Sequence, residues 1–223
     1  MIPMIVLATG NQNKVREFRE ILADFPVRIA SLGDFPKIPE ALEDGATFEE
    51  NAYKKALHTA KILGLPAIAD DSGLCVDALG GEPGIFSARY AGEGATDDDN
   101  CRKLLRELAE TANRKAHFAC AISIAVPSGP ALTYEAVCEG EILREKRGAS
   151  GFGYDPLFWF PALGKSFAEL TPEEKNRVSH RGKALVELRQ EIDKVIKWLG
   201  QRLAEEKPPK PDHHQFTDDW SER

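Results

Sequence analysis

Two adjacent carboxylates, Asp70 and Asp71, close a short apolar run and lead into a glycine-bearing stretch, ADDSGLC. Neighbouring carboxylates need a counter-charge: they shift their protonation, pair with lysine, or hold a divalent cation. Glu43 in an upstream loop, with Glu50 and Lys55 on the helix between, are candidate neighbours. Alone, DDSG favours a plainer account, in which one aspartate caps the Ser72-Gly73 turn and the other is solvated.

Three further stretches carry residue types suited to chemistry. In LATGNQNKVREF, a strand turning through Thr9, Gly10 and Asn11 into a helix aims backbone N–H groups, a helix N-terminus and Lys14 at the sheet's carboxyl edge, where anions bind in α/β proteins. The spacing is neither GxxxxGK[ST] nor GxGxxG, and a glycine turn with a surface lysine is the alternative. In GASGFGYDPLFW, glycines around Phe152 and Tyr154 permit close backbone approach; such a loop can stack an aromatic on a planar base, with Asp155 accepting a ring N–H. A glycine-rich turn with buried aromatics fits that spacing too. In ELTPEEKNRVSHRGKAL, Lys175, Arg177, His180, Arg181 and Lys183 gather positive charge near a helix start at Ser179, suited to a phosphate chain or a carbonyl acceptor, or simply to a basic helix surface.

The elements that must position these residues follow from periodicity. Met4–Ala8 is expected as a buried strand and Asn13–Ala23 as a helix with Val15, Phe18, Ile21 and Leu22 on one face. A weak strand near Val27–Ser31 precedes a capping box at Thr47–Glu50 and a helix to Leu63, stopped by Gly64 and Pro66. Ala67–Ala69 is expected as a strand ending in the aspartates, and Leu74–Ala78 as another. Thr96, followed by three aspartates, caps a helix ending near Thr111. His117–Val126 and Leu132–Glu145 flank PSGP as a hairpin, and Leu157–Phe160 adds a strand. Thr171–Glu174 is a capping box with proline at the first helical position, and Lys183–Leu203 is a long amphipathic helix. The pattern fails from Ala204, so residues 204–223 are expected to be a disordered tail, leaving one two-lobed domain over residues 1–203. Helical crossovers combined with a hairpin give an α/β protein with a mixed sheet.

Composition narrows the function classes. The 223 residues are 42% hydrophobic, enough for a sizeable core. No run approaches a membrane span and the start lacks a signal-peptide pattern, so a cytoplasmic location is expected. Cys75, Cys101, Cys120 and Cys138 lie far apart, expected as reduced and mostly buried thiols. A formal charge of −7 argues against a nucleic-acid partner, because backbone binding needs a basic surface. An anionic ligand must therefore be met locally.

Together, TGNQNK, EDGATFEENA, ADDSGL with LGG and PGIFSARYAG, GFGYDP and SHRGKAL, in this order, closely resemble the inosine triphosphate pyrophosphatase family from about Met4 to Leu203. The resemblance implies an elongated mixed sheet flanked by helices, two lobes with a central cleft, and a homodimer. It implies Mg²⁺-dependent hydrolysis of XTP, ITP and dITP to the monophosphate and pyrophosphate. Carried over by position, Thr9, Gly10, Asn11, Gln12, Asn13 and Lys14 match the first triphosphate loop, with Lys55 a further phosphate partner. Glu43 and Asp71 match the metal carboxylates, and Asp71 also the proton acceptor. Ser72 matches a substrate contact, Phe152, Gly153, Tyr154 and Asp155 the base loop, and Lys175, His180 and Arg181 the remaining nucleotide contacts. One departure stands out: where many members carry two consecutive acidic residues before the TG-type turn, this chain has Glu43-Asp44-Gly45, leaving open whether Asp44 joins Glu43 at the metal, with Glu40 the weaker candidate. The competing readings are a pyrophosphatase for other modified nucleotides and a nucleotide-binding module without turnover.

Overall fold

A computed structural model describes residues 4–23 and 26–205. Among these residues seven strands form one mixed sheet in the order β2-β1-β3-β4-β5-β6-β7. Strand β1 (Met4–Leu7) pairs in parallel with β2 (Arg28–Ser31) and with β3 (Ala67–Val76), the connections being helix α1 (Gln12–Ile21) and helix α2 (Phe48–Leu63). The rest is antiparallel: β3 lies along β4 (Lys115–Ala125), which forms a long hairpin with β5 (Ala131–Ile142), followed by β6 (Phe158–Phe160) and the two-residue β7 (Lys165–Ser166). Helix α3 (Asp97–Glu107) precedes β4, and α4 (Pro172–Val178), α5 (His180–Gln190) and α6 (Ile192–Glu205) close the described chain. Among the described residues no helix is long and apolar enough to cross a membrane.

The helix starts follow their capping residues. The Thr47 side chain accepts the Glu50 N–H; Thr96–Asp99 and Thr171–Glu174 form complete capping boxes, each satisfying N–H groups that have no partner inside the helix. Gly64 ends α2 in the left-handed conformation, at φ 65°.

Two apolar clusters organise the core. One joins Val15 and Phe18 of α1, and Leu22 just after it, to Ile68, Ile122 and Ile124 of the sheet and to Leu185, Leu188, Val195 and Leu199 of α5 and α6. The other gathers Leu74, Leu104, Phe118, Phe158 and Phe167 at the far end of the long strands. On the opposite sheet face, Ala56 and Ala60 of α2 sit against Ala69 and Ala67, small residues that let the helix lie close to the strand.

Several expectations change. The stretch 67–78 is not two strands parted by a turn: β3 runs unbroken through Asp70, Asp71, Ser72 and Gly73, each in register with β4. The turn expectation failed because a buried carboxylate is costly only when unpaired; these two are paired. The long C-terminal helix is broken at Glu191 into α5 and α6, and α3 ends at Glu107 rather than near Thr111. Ala204 and Glu205 belong to α6, and the remainder of the expected tail, residues 206–223, lies outside the described residues. The three buried cysteines and the half-buried Cys75 are free thiols.

Candidate active site

Successive strand residues point to opposite faces of a sheet, and this alternation resolves the aspartate pair. Asp70 points with Ile68 toward α1 and α5, where Lys14 Nζ lies 2.9 Å and the Arg181 guanidinium 3.1 Å from its Oδ2. Asp71 points with Ala69 toward α2, where Lys55 Nζ lies 2.7 Å from its Oδ1. Each has its own contacting cations, Lys55 for Asp71 and Lys14 with Arg181 for Asp70, although Lys55 also favours the charged form of Asp70 and Lys14 that of Asp71.

Burial alone would raise the Asp70 carboxyl, but Lys14 and Arg181 outweigh it and hold it well below the usual carboxylate range. Asp71 goes the other way: burial raises it, only partly opposed by Lys55, and Glu43 adds to the rise. Burial works against the charge on Lys55, yet Asp71 and Glu43 raise its pKa overall. Glu43 Oε2 lies 3.5 Å from the same Nζ, so both carboxylates converge on one positive centre. Glu50 is not part of this group; its carboxylate accepts the Ala46 N–H at 2.7 Å. Asp44 is turned to Lys54, 2.7 Å away at the surface. Among the described residues no set of three His, Cys, Asp or Glu side chains clusters at ligand spacing.

Strand β1 pairs with β3 only through Val6 and Leu7, so the chain leaves the sheet just before the aspartates and turns over them. In that turn Thr9 Oγ1 accepts the Asn11 N–H at 3.1 Å, and Asn11 Oδ1 faces the Lys14 N–H at 3.4 Å. The side chains of Gln12 and Asn13 lie outside the described set. A cavity of ≈ 670 Å³ opens here, lined by Thr9, Gly10, Lys14, Glu40, Glu43, Lys55, Asp70, Asp71 and Ser72.

Across Lys14 and Ser72, which line both, it meets a second cavity of ≈ 240 Å³ bounded by Phe152, Gly153, Tyr154, Asp155, Lys175, His180 and Arg181. Ser72 Oγ donates to Asp70 at 3.1 Å. Asp155 Oδ2 accepts the Phe152 N–H at 2.9 Å and Lys175 Nζ at 2.5 Å; burial raises its carboxyl against the pull of Lys175. The Lys175 ammonium also sits 4.6 Å from the Phe152 ring centre. His180 stacks on Phe118 at 4.8 Å, and its Nδ1 is buried without a partner. Burial, then Arg181 and Lys175, hold it neutral, well below the usual imidazole range.

Of the described residues singled out from the sequence, Thr9, Gly10, Asn11, Lys14, Glu40, Glu43, Lys55, Asp70, Asp71, Ser72, Phe152, Gly153, Tyr154, Asp155, Lys175, His180 and Arg181 line the two cavities; Asp44, Glu50, Arg177 and Lys183 do not, Lys183 donating instead to the Val137 carbonyl oxygen at 2.9 Å. Sequence reasoning missed several contributors. Glu17 takes Arg181 at 2.7 Å, so the guanidinium is held by two acids rather than pointing freely at a ligand. Phe118, from the hairpin, floors the smaller cavity, and Asp97 Oδ2 accepts the Gly153 N–H at 2.6 Å. Asn51 links Asp71 to a loop N–H. Glu17 and Asn51 were findable, three residues after Lys14 and four before Lys55 on the same helices; Phe118 and Asp97 depend on tertiary packing alone.

Comparison with known proteins agrees with this geometry. Residues 5–191 match the model of the Ham1 family. A protein of Desulfotalea psychrophila named dITP/XTP pyrophosphatase is 69% identical over 99% of this chain and 100% of its own length. One of the same name from Syntrophobacter fumaroxidans is 61% identical over 91% of this chain and 88% of its own. The solved structure of a HAM1 protein from Coxiella burnetii superposes with a TM-score of 0.81 at 45% identity, covering 86% of this chain and 99% of that one.

Proposed function

Because the chain belongs to the Ham1 family, we propose that it hydrolyses non-canonical purine nucleoside triphosphates, ITP, dITP and XTP, to the monophosphate and pyrophosphate. The observation that carries this reading is one cleft with two chemistries. A lysine- and carboxylate-lined cavity suits a polyphosphate, and it opens across Ser72 and Lys14 into an aromatic one suited to a base. We further propose that it works as a cytoplasmic homodimer on the free nucleotide pool.

The substrate brings about four negative charges into an acidic protein. Lys14 and Lys55 offset them along the phosphate chain, and the Thr9–Lys14 turn offers backbone N–H groups at the start of α1. Glu43 and Asp71 converge on the Lys55 ammonium, and an all-carboxylate pair of this kind fits Mg²⁺. Held by those two side chains, Mg²⁺ would neutralise charge on the polyphosphate. Asp71, raised by burial and opposed by Lys55, takes the proton of the water that attacks the α-phosphorus; the bond from Pα to the bridging oxygen breaks and pyrophosphate leaves.

Base choice follows from polarity. Hypoxanthine and xanthine offer an acceptor at C6 and a donor at N1; adenine offers the reverse. Lys175 and His180 supply donors beside the Phe152 ring and Asp155 supplies an acceptor, so a 6-keto purine is matched. Arg181 is saturated by Asp70 and Glu17 and contributes mainly field.

The test is Asp71→Asn. Its circular dichroism should match the wild type while turnover on ITP falls about 10²–10⁴-fold; near-normal turnover would overturn the assignment.

A further inference from the structure

We propose that Asn51 is a positioning residue for the reaction, tying Asp71 and the loop that carries Glu43 into one geometry; this rests on the roles given to Asp71 and Glu43 above. Asn51 and Lys55 stand one helical turn apart on α2 and reach the same carboxylate, Lys55 at its Oδ1 and Asn51 Nδ2, 3.4 Å away, at its Oδ2. On its other side Asn51 Oδ1 accepts the Gly45 N–H at 2.8 Å. Asn51 is 1% exposed.

The amide's orientation is dictated by these partners. A backbone N–H only donates, so Asn51 must turn its oxygen to Gly45 and its NH₂ to Asp71. A Cβ on Gly45 would come within 2.6 Å of that oxygen, so glycine is needed for the loop to approach this closely. One neutral side chain thus spans from the residue two places after Glu43 to the strand bearing Asp71. The neighbouring Ala46–Glu50 bond pins the same loop to the same helix. A leucine here would satisfy neither partner, and an aspartate only one.

Full-length Asn51→Ala and Asn51→Asp, assayed with Mg²⁺ and ITP below the onset of melting, test this. Both should lower kcat about 10- to 100-fold, as loss of a supporting contact does. KM should change less than about threefold, because Lys14, Lys55 and Lys175 remain to bind substrate. Asn51→Asp keeps the acceptor for Gly45 but sets a second buried acid beside Asp71, so melting curves accompany both variants, and Asn51→Ser, small and uncharged, decides the matter with the same expected loss of kcat if either of them does not fold. A folded variant with kcat within twofold of wild type, or a loss confined to KM, would overturn the inference. An inactive wild type, or an active Asp71→Asn enzyme, would instead overturn the reading beneath it.

Discussion

Replacing Arg181 with methionine removes the shared partner of two acids. Arg181 Nη1 lies 2.7 Å from Glu17 and Nη2 3.1 Å from Asp70, with the arginine and Asp70 side chains 5% and 0% exposed. Breaking a buried ion pair by deleting one member costs about 3–5 kcal/mol, because the orphaned charge stays out of water. Lys14 still reaches Asp70, which puts the expectation at the lower end, about 3 kcal/mol. At about 2–4 °C per kcal/mol for a chain of this size, melting should fall by about 6–12 °C. Calorimetry with urea unfolding at neutral pH measures it. Adding Asp70→Asn should recover part of the loss, since the uncompensated charge is then gone. A melting temperature within 2 °C of wild type, or a double variant weaker than the sum of the singles, would refute this electrostatic account of β3.

Two further outcomes follow from the same geometry. His180 is held neutral in the native state, so below about pH 6.5 the unfolded chain binds a proton that the native chain refuses, and stability falls as pH falls. One such proton is worth roughly 1.4 kcal/mol per pH unit, about 2 kcal/mol by pH 5; His180→Gln should lose less stability than wild type between pH 7.5 and 5 in urea titrations, and equal losses would contradict it. Gly182 packs where an added Cβ would collide with the Asn176 carbonyl oxygen, backbone that cannot swing aside, so Gly182→Ala should cost about 1–3 kcal/mol and lower the melting temperature, whereas Gly200→Ala, with open space around it, should not.

Much of this was legible beforehand because local rules dominate in the relevant places. The helix starts at Thr47, Thr96 and Thr171 obey capping chemistry that a few residues determine, and the hairpin around PSGP has turn residues between two alternating strands. What was not legible depends on distant partners. Two aspartates and a glycine inside a central strand violate strand preferences, and only Lys14, Lys55 and Arg181, brought in from three separate helices, make them acceptable. The break at Glu191 leaves no trace because both helices keep their apolar faces on the same cluster, Leu185 and Leu188 before it and Val195 and Leu199 after. At the site, residue types announced the lysines and Asp71, whereas Asn51, Glu17 and Phe118 act through neighbours and resemble ordinary helix and strand residues.

The most direct measurement is pyrophosphate release from ITP, XTP, dITP and ATP by the full chain, with Mg²⁺ and with excess EDTA. The account predicts equimolar monophosphate and pyrophosphate from the three 6-keto substrates, abolition by EDTA, and turnover of ATP lower by roughly 10⁴-fold, since adenine leaves the buried donors and acceptor facing unpaired groups. Binding of ITP without product, release of orthophosphate in place of pyrophosphate, or equal turnover of ATP would contradict it.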